Sequence, residues 1–315
     1  MNMCTAIRFN ERYFGRTLDF ERSFGESLVV TPREKMRLLD SHNRYAMMGV
    51  GVLEGGVPMY FDGVNEWGLA AAALNFPKYA QYRSEDGVGR GIFAGHLISH
   101  VLGLCRSVSE ARQMLQKTLI TGRVENKELP ATPLHWIIAD GRESAVIESV
   151  ESGLKIYDNP VGVLTNSPEL PYHLTRLDDF SYLRAENPEG GLYSRGLGAV
   201  GMPGDYSSTS RFIRAAFLKK QSFGETCSAA VGDMHRAFSL LDAVSVPLGA
   251  VITDEGLPAF TIYSAVIDLA EPSYYLTTAS CRTIHAISLT DSLLDGREIQ
   301  SYPIYREEKF ISLTN

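Results

Sequence analysis

Cysteine is scarce: four residues, at positions 4, 105, 227 and 281, are spread over 315 without a C-x-x-C pair. Neither a disulfide framework nor a zinc knuckle is indicated, and reduced thiols are expected. Positive charge is also in deficit, with 30 Lys and Arg against 37 Asp and Glu and a net charge of −7. No basic run offers a footprint for a phosphate backbone, so nucleic acid is not an expected partner. Long apolar runs are missing as well. No stretch approaches the roughly 18 uninterrupted apolar residues of a membrane-spanning helix, and the opening Met1-Asn2-Met3-Cys4-Thr5-Ala6-Ile7-Arg8 lacks the apolar segment of a secretory signal. The expected location is the cytoplasm, with no membrane partner. Of seven histidines only His96 and His100 have helical i, i+4 spacing, and no carboxylate lies between them, which argues against a metal. Gly196, Gly198 and Gly201 spell G-x-G-x-x-G. No strong strand precedes them and Met202-Pro203-Gly204 follows where a helix should begin, so a loop is expected and no nucleotide or other cofactor.

What is present is ample apolar material, 44% of the chain, enough for a large buried core. Alternating or β-branched segments predict strands over Thr5 to Phe9, Arg12 to Leu18, Ser27 to Thr31, Ala46 to Leu53 and Gly68 to Leu74. His135 to Ala139 and Ser144 to Glu148, joined through Asp140-Gly141, predict a hairpin that Leu154 to Tyr157 could extend. Helices are predicted over Ser107 to Thr118, where Ser107 and Glu110 have capping-box spacing, and by periodicity over Ile92 to Leu104, Ser210 to Lys220 and Thr226 to Val244. Strands return at Phe260 to Ile267 and Tyr274 to Thr278. Glu186 to Asp205 is the longest loop-like stretch and a candidate border for a site. With no repeat or Pro/Ser-rich linker to divide the chain, residues 4–315 are expected to form a single domain of layered sheets covered by helices.

Cys4 stands out by position, because a cysteine exposed as the first residue carries two useful groups at once. Its α-amine titrates near ~7.7–8.0 and its thiol near ~8.5, so one residue supplies base and nucleophile at neutral pH. By position alone, a small buried residue in a first strand is the better reading. The residues that follow add to this. Cys4-Thr5-Ala6-Ile7-Arg8-Phe9 with Tyr13-Phe14-Gly15-Arg16-Thr17-Leu18-Asp19-Phe20 resembles the opening of the choloylglycine hydrolase family, which includes bile salt hydrolases and penicillin V acylases. Five further segments match that family in order: residues 58–62, 65–70, 74–77, 164–168 and 201–212. None is specific alone; six blocks in register are.

The resemblance implies a four-layer αββα sandwich of two antiparallel sheets, the N-terminal-nucleophile hydrolase fold, and an amide hydrolase with Cys4 as nucleophile. It carries over Arg16 as the cation that favours thiolate, Asp19 as the carboxylate that hydrogen-bonds the α-amine, and Asn166 with the backbone N–H of Asn75 as the oxyanion hole. Arg211 carries over as support for the charged network. Asparagine at position 75 resembles the bile salt hydrolases, whereas penicillin V acylases tend to carry tyrosine there. Conjugated bile acids are therefore the expected substrates. Phe20 and Phe76 are candidates for the apolar cleft, with core packing the equal alternative for both, and Arg195 is a candidate for the sulfonate or carboxylate of the conjugate. Penicillin V or acyl-homoserine-lactone hydrolysis is the alternative chemistry, and a homotetramer the expected assembly. The family usually has Met directly before Cys, whereas here Met1-Asn2-Met3 precede Cys4. Residues 1–3 are expected to be removed; a chain that keeps them would be a binder of amphipathic ligands without catalysis.

Overall fold

The computed structural model describes residues 3–83, 91–122, 132–187, 196–224, 231–305, 307–310 and 312–313. Two antiparallel sheets dominate. The first has the strand order Val163–Leu164, Met3–Arg8, Tyr13–Phe20, Pro258–Asp268, Ser273–Thr278, Cys281–Ser288, with Val251–Ile252 paired to Pro258–Asp268. The second runs Gly153–Asp158, Ser144–Val150, Leu134–Ala139, Ala70–Asn75, Asp62–Asn65, Met47–Glu54, Ser27–Thr31, Gln300–Pro303, with Val57–Tyr60 paired to Met47–Glu54.

The central strands are buried on both faces, which explains why their sequences read as nearly continuous apolar runs. Ile137 and Val146 point into one core, where the sheets meet, while Trp136, Ile138, Ala145 and Ile147 belong to a second, beneath helices Leu97–Leu104 and Val108–Leu115. Helices Ser208–Ser222 and Asp233–Asp242 cover the opposite side of the first sheet. Helix, sheet, sheet, helix is the expected αββα order. Where the strands of the second sheet approach most closely only glycine fits: a Cβ on Gly49 would lie 2.0 Å from the Asp62 carbonyl oxygen.

Local signals behaved as their chemistry requires. Ser107 caps its helix by accepting from the Glu110 N–H at 3.2 Å, and the Asp140 carboxylate shapes the hairpin turn, accepting from the N–H groups of Arg142 and Glu143 at 2.8 and 3.0 Å. Two expected helices are shorter than their periodicity. Ile92–Phe93 is extended, pairing in parallel with Ile120–Thr121, so the α-helix begins only at Leu97. The helix expected from Thr226 is described from Asp233, with Gly232 at its N-cap; residues 225–230 lie outside the described set. The G-x-G-x-x-G segment turns rather than starting a helix, with Ala199 and Gly201 at positive φ. His100 is buried and structural, its Nε2 accepting from the Leu39 N–H at 3.1 Å. Among the described residues no cluster of metal-ligating side chains occurs and no helix is long and apolar enough to cross a membrane.

Candidate active site

Strand alternation distributes the site over both faces of the first sheet. Cys4 pairs with Leu18 and Ala6 with Arg16, so the thiol and the Arg16 guanidinium share the face toward the second sheet; Met3, Thr5, Thr17 and Asp19 share the other. All of these side chains are buried.

On the inner face Arg16 donates from Nη1 to the Phe61 carbonyl at 3.0 Å and meets Asp62 Oδ2 at 3.4 Å, while its Nη2 has no hydrogen-bond partner. Asp62 is held in turn by the hydroxyls of Tyr263 and of Tyr274, the latter at 2.5 Å. On the outer face Asp19 accepts from Thr17 Oγ1 at 3.1 Å and Thr261 Oγ1 at 2.6 Å. Arg211 comes from the first turn of helix Ser208–Ser222. It donates from Nη1 to the Cys4 carbonyl at 2.5 Å and to Thr5 Oγ1 at 2.7 Å, and from Nη2 to Asn166 Oδ1 at 2.7 Å.

Asn166 is the hub. Its Oδ1 also accepts from the Cys4 backbone nitrogen at 2.8 Å, and its Nδ2 donates to the Asn75 carbonyl at 2.9 Å. That Cys4 nitrogen is here a peptide N–H, since Met3 is still attached, and it stands for the α-amine of a processed chain. A peptide nitrogen has a single hydrogen, and Asn166 takes it. Asp19, the expected partner of the amine, is instead bonded to two threonines.

The electrostatics differ from the expectation in one respect. Burial pushes the Cys4 thiol above its ordinary value; Arg16 opposes this most, the Asp19 carboxylate adds to it, and the Asp19 N–H and Arg211 pull it back. Arg16 therefore acts in the expected direction but does not outweigh desolvation, and the thiol of the uncut chain stays protonated at neutral pH.

Cys4, Arg16, Asp19, Asn75, Asn166 and Arg211 are thus brought together from five elements and loops. Phe76 is fully buried, stacking on His135 at 4.2 Å and packing on Tyr79, which is the core-packing alternative. Phe20 is half-buried and meets Phe24 at 4.5 Å, which meets Phe61 at 5.4 Å. Phe24 lies in none of the matched segments and no periodicity marks it, whereas Phe61 falls inside the matched segment 58–62 without having been singled out. Arg195 lies outside the described residues. Cys105 and Cys281 are free and buried.

Comparison with known proteins agrees with this fold. The family model for linear amide C–N hydrolases, choloylglycine hydrolase family, matches residues 4–302, beginning at Cys4 itself. A bile salt hydrolase/transferase of Lactiplantibacillus plantarum is 39% identical, with 99% of this chain and all of that protein aligned, and one of Clostridium perfringens is 34% identical over 95% and 96%. The crystal structure of a cysteine-to-alanine mutant of conjugated bile acid hydrolase from Clostridium perfringens superposes with a TM-score of 0.90 at 31% identity, over the whole of both chains. Penicillin V acylase from Agrobacterium tumefaciens shares the fold, with a TM-score of 0.74 at 23% identity. From its nucleophile block to its last strand, this chain belongs to the choloylglycine hydrolase family of linear amide C–N hydrolases.

Proposed function

We propose that this protein cleaves the amide bond of glycine- or taurine-conjugated bile acids through a thioester on Cys4. The observation that carries the reading is the convergence of Asn166 and Arg211 on both backbone groups of Cys4, with Arg16 beside the thiol, in a chain whose relatives at 30–39% identity are bile salt hydrolases. Removal of residues 1–3 turns the Cys4 nitrogen into an amine with hydrogens to spare after Asn166 is satisfied. Asp19, on the neighbouring strand opposite Met3, is the group proposed to orient them.

The amine then takes the thiol proton and Sγ attacks the amide carbonyl. Negative charge gathers on that oxygen, for which the Asn166 side-chain amide and the Asn75 N–H are the proposed donors, each worth ~2.7–4 kcal/mol to the transition state. Asn166 Nδ2 donates to the Asn75 carbonyl in the free chain and must share or surrender that bond to do so. Collapse breaks the C–N bond; the leaving nitrogen takes the proton from the ammonium and departs as glycine or taurine. Water, deprotonated by the same amine, hydrolyses the thioester, releasing the bile acid and restoring the thiol. The unpartnered Arg16 Nη2 supports charge on sulfur, and the Phe20, Phe24, Phe61 cluster offers an apolar wall to a steroid. A cytoplasmic homotetramer completes the proposal; light scattering at four times the protomer mass is the expected result.

The test is release of glycine and taurine from glycocholate and taurocholate by protein whose first residue is Cys4 by mass spectrometry, beside Cys4→Ser. Turnover in the former and near-complete loss in the latter are expected. Silence in both, with Cys4 exposed, would transfer the chemistry to penicillin V or lactone amides; an uncut N-terminus would favour ligand binding without catalysis.

A further inference from the structure

The groups around Cys4 refer back to Asn166, and Asn166 is itself gripped by side chains that the reaction does not use. Its carbonyl accepts from His173 Nε2 and from Ser208 Oγ, each at 2.9 Å, and its N–H donates to Ser208 Oγ at 2.9 Å. One residue earlier, the Thr165 carbonyl accepts from His135 Nε2 at 2.8 Å, and Thr165 Oγ1 lies 2.9 Å from Ser208 Oγ. Two consecutive peptide units are therefore pinned by side chains from three directions.

The pins are themselves fixed. His135 stacks on Phe76 with 8° between the planes, and its Nδ1 is 3.2 Å from Glu148 Oε1. His173 stacks on Phe212 at 5.1 Å and 18°. His135, Glu148 and His173 are wholly buried. Burial pushes His173 down to about 4, so it is neutral across the ordinary pH range, and its Nε2, facing a carbonyl, carries the proton. Ser208 begins the helix that supplies Arg211, so one helical turn holds the Asn166 backbone with its first residue and the Asn166 side chain with its fourth.

We propose that His173, Ser208 and the Glu148-oriented His135 are positioning residues, fixing the Thr165–Asn166 backbone so that the Asn166 side chain stays aimed at the Cys4 nitrogen and at the carbonyl under attack. The inference rests on the reading of Cys4 as nucleophile and Asn166 as oxyanion donor. It does not require the substrate to be a bile salt, because the clamp acts on the chemical step rather than on recognition of the steroid.

The experiment compares His173→Leu, His173→Gln and Ser208→Ala in processed protein, with rates expressed per iodoacetamide-titratable Cys4 and with Tm measured alongside. For glycocholate, His173→Leu is expected to lower kcat about 100-fold with KM within about twofold, the scale of a misplacement near 1 Å. Glutamine keeps an N–H donor near the position of Nε2, and His173→Gln is expected to recover to within about threefold of the parent, a hydrogen bond being restored. Should His173→Leu fail to fold, Ser208→Ala, which removes one oxygen, decides with an expected drop of about tenfold in kcat. Acylation by p-nitrophenyl acetate is followed in the same proteins and should fall in parallel, so the clamp is tested even if glycocholate proves a poor substrate. An unchanged rate per titrated cysteine, equal losses for leucine and glutamine, or a rise in KM alone would overturn the proposal, as would an unprocessed or unreactive Cys4 in the parent.

Discussion

Beneath helix Leu97–Leu104, Ala71, Trp136, Ile138 and Ile147 of the second sheet meet Leu97, Ile98 and Val101, an apolar layer closed to solvent. Around Cys4 the chain is just as dry, yet Arg16, Asp19, Asp62 and Arg211 are packed there at 0–1% exposure. Burying a charge is costly unless partners satisfy it, and here they do: Asp62 has two tyrosines and Arg16, Asp19 two threonines, and Arg211 three oxygen acceptors around Cys4. The first region is held by area and shape and is indifferent to which apolar atoms supply them. The second is held by a network of hydrogen bonds in which Arg16 Nη2 is left open, so removing one member strands its partners.

Substitutions in the two regions should therefore separate stability from chemistry. The largest effect is expected from Arg211→Met, which leaves Asn166 Oδ1 and the Cys4 carbonyl without their cation: a loss of about 3–5 kcal/mol in urea unfolding together with loss of turnover. Leu97→Ala in the apolar layer should cost about 2–5 kcal/mol by the same measurement, with kcat of the folded protein unchanged; a fall in kcat would break the comparison. Arg16→Met should move the pH midpoint of Cys4 alkylation upward, because the charge that opposes desolvation most strongly is gone, and a downward move would contradict the role given to Arg16. The smallest effect lies at the rim, at Asp205, whose carboxyl is held down at about 2 first by Ser207 and Ser210. A depressed folded value contributes stability that is present above the ordinary carboxyl range, near 4, and is lost as pH falls toward 2. Asp205→Asn should lower Tm at pH 7 by an amount that shrinks as pH falls and is gone only below pH 2, corresponding to at most about 1 kcal/mol because the group is exposed and screened.

How much was legible in advance differs between the same two regions. Strand Ser27–Thr31, the hairpin about Asp140 and the Ser107 cap follow from residues a few positions apart, where alternation, turn chemistry and capping act locally. Strands Val57–Tyr60 and Asp62–Asn65 escaped notice because each has four residues and carries Pro, Asp or Gly, and helix Leu170–Asp178 because Pro171 and few apolar residues weaken its period. Cys281–Ser288 alternates with charged and polar residues at a sheet edge and reads as loop.

Residue order alone tells that Cys4 lies at the start of a first strand, that six blocks share the order of one family, and that acid, base and amide side chains of the right kinds are present. Which atoms meet depends on how the sheets and helices pack. Cys4 reaches Asn166 across 162 positions and Arg211 across 207. Contacts at such separations are set by sheet register and helix packing, which no local pattern encodes. The same holds for the balance at the thiol: the charge of Arg16 is written in the sequence, but the desolvation that exceeds it exists only once the sheets have closed over Cys4.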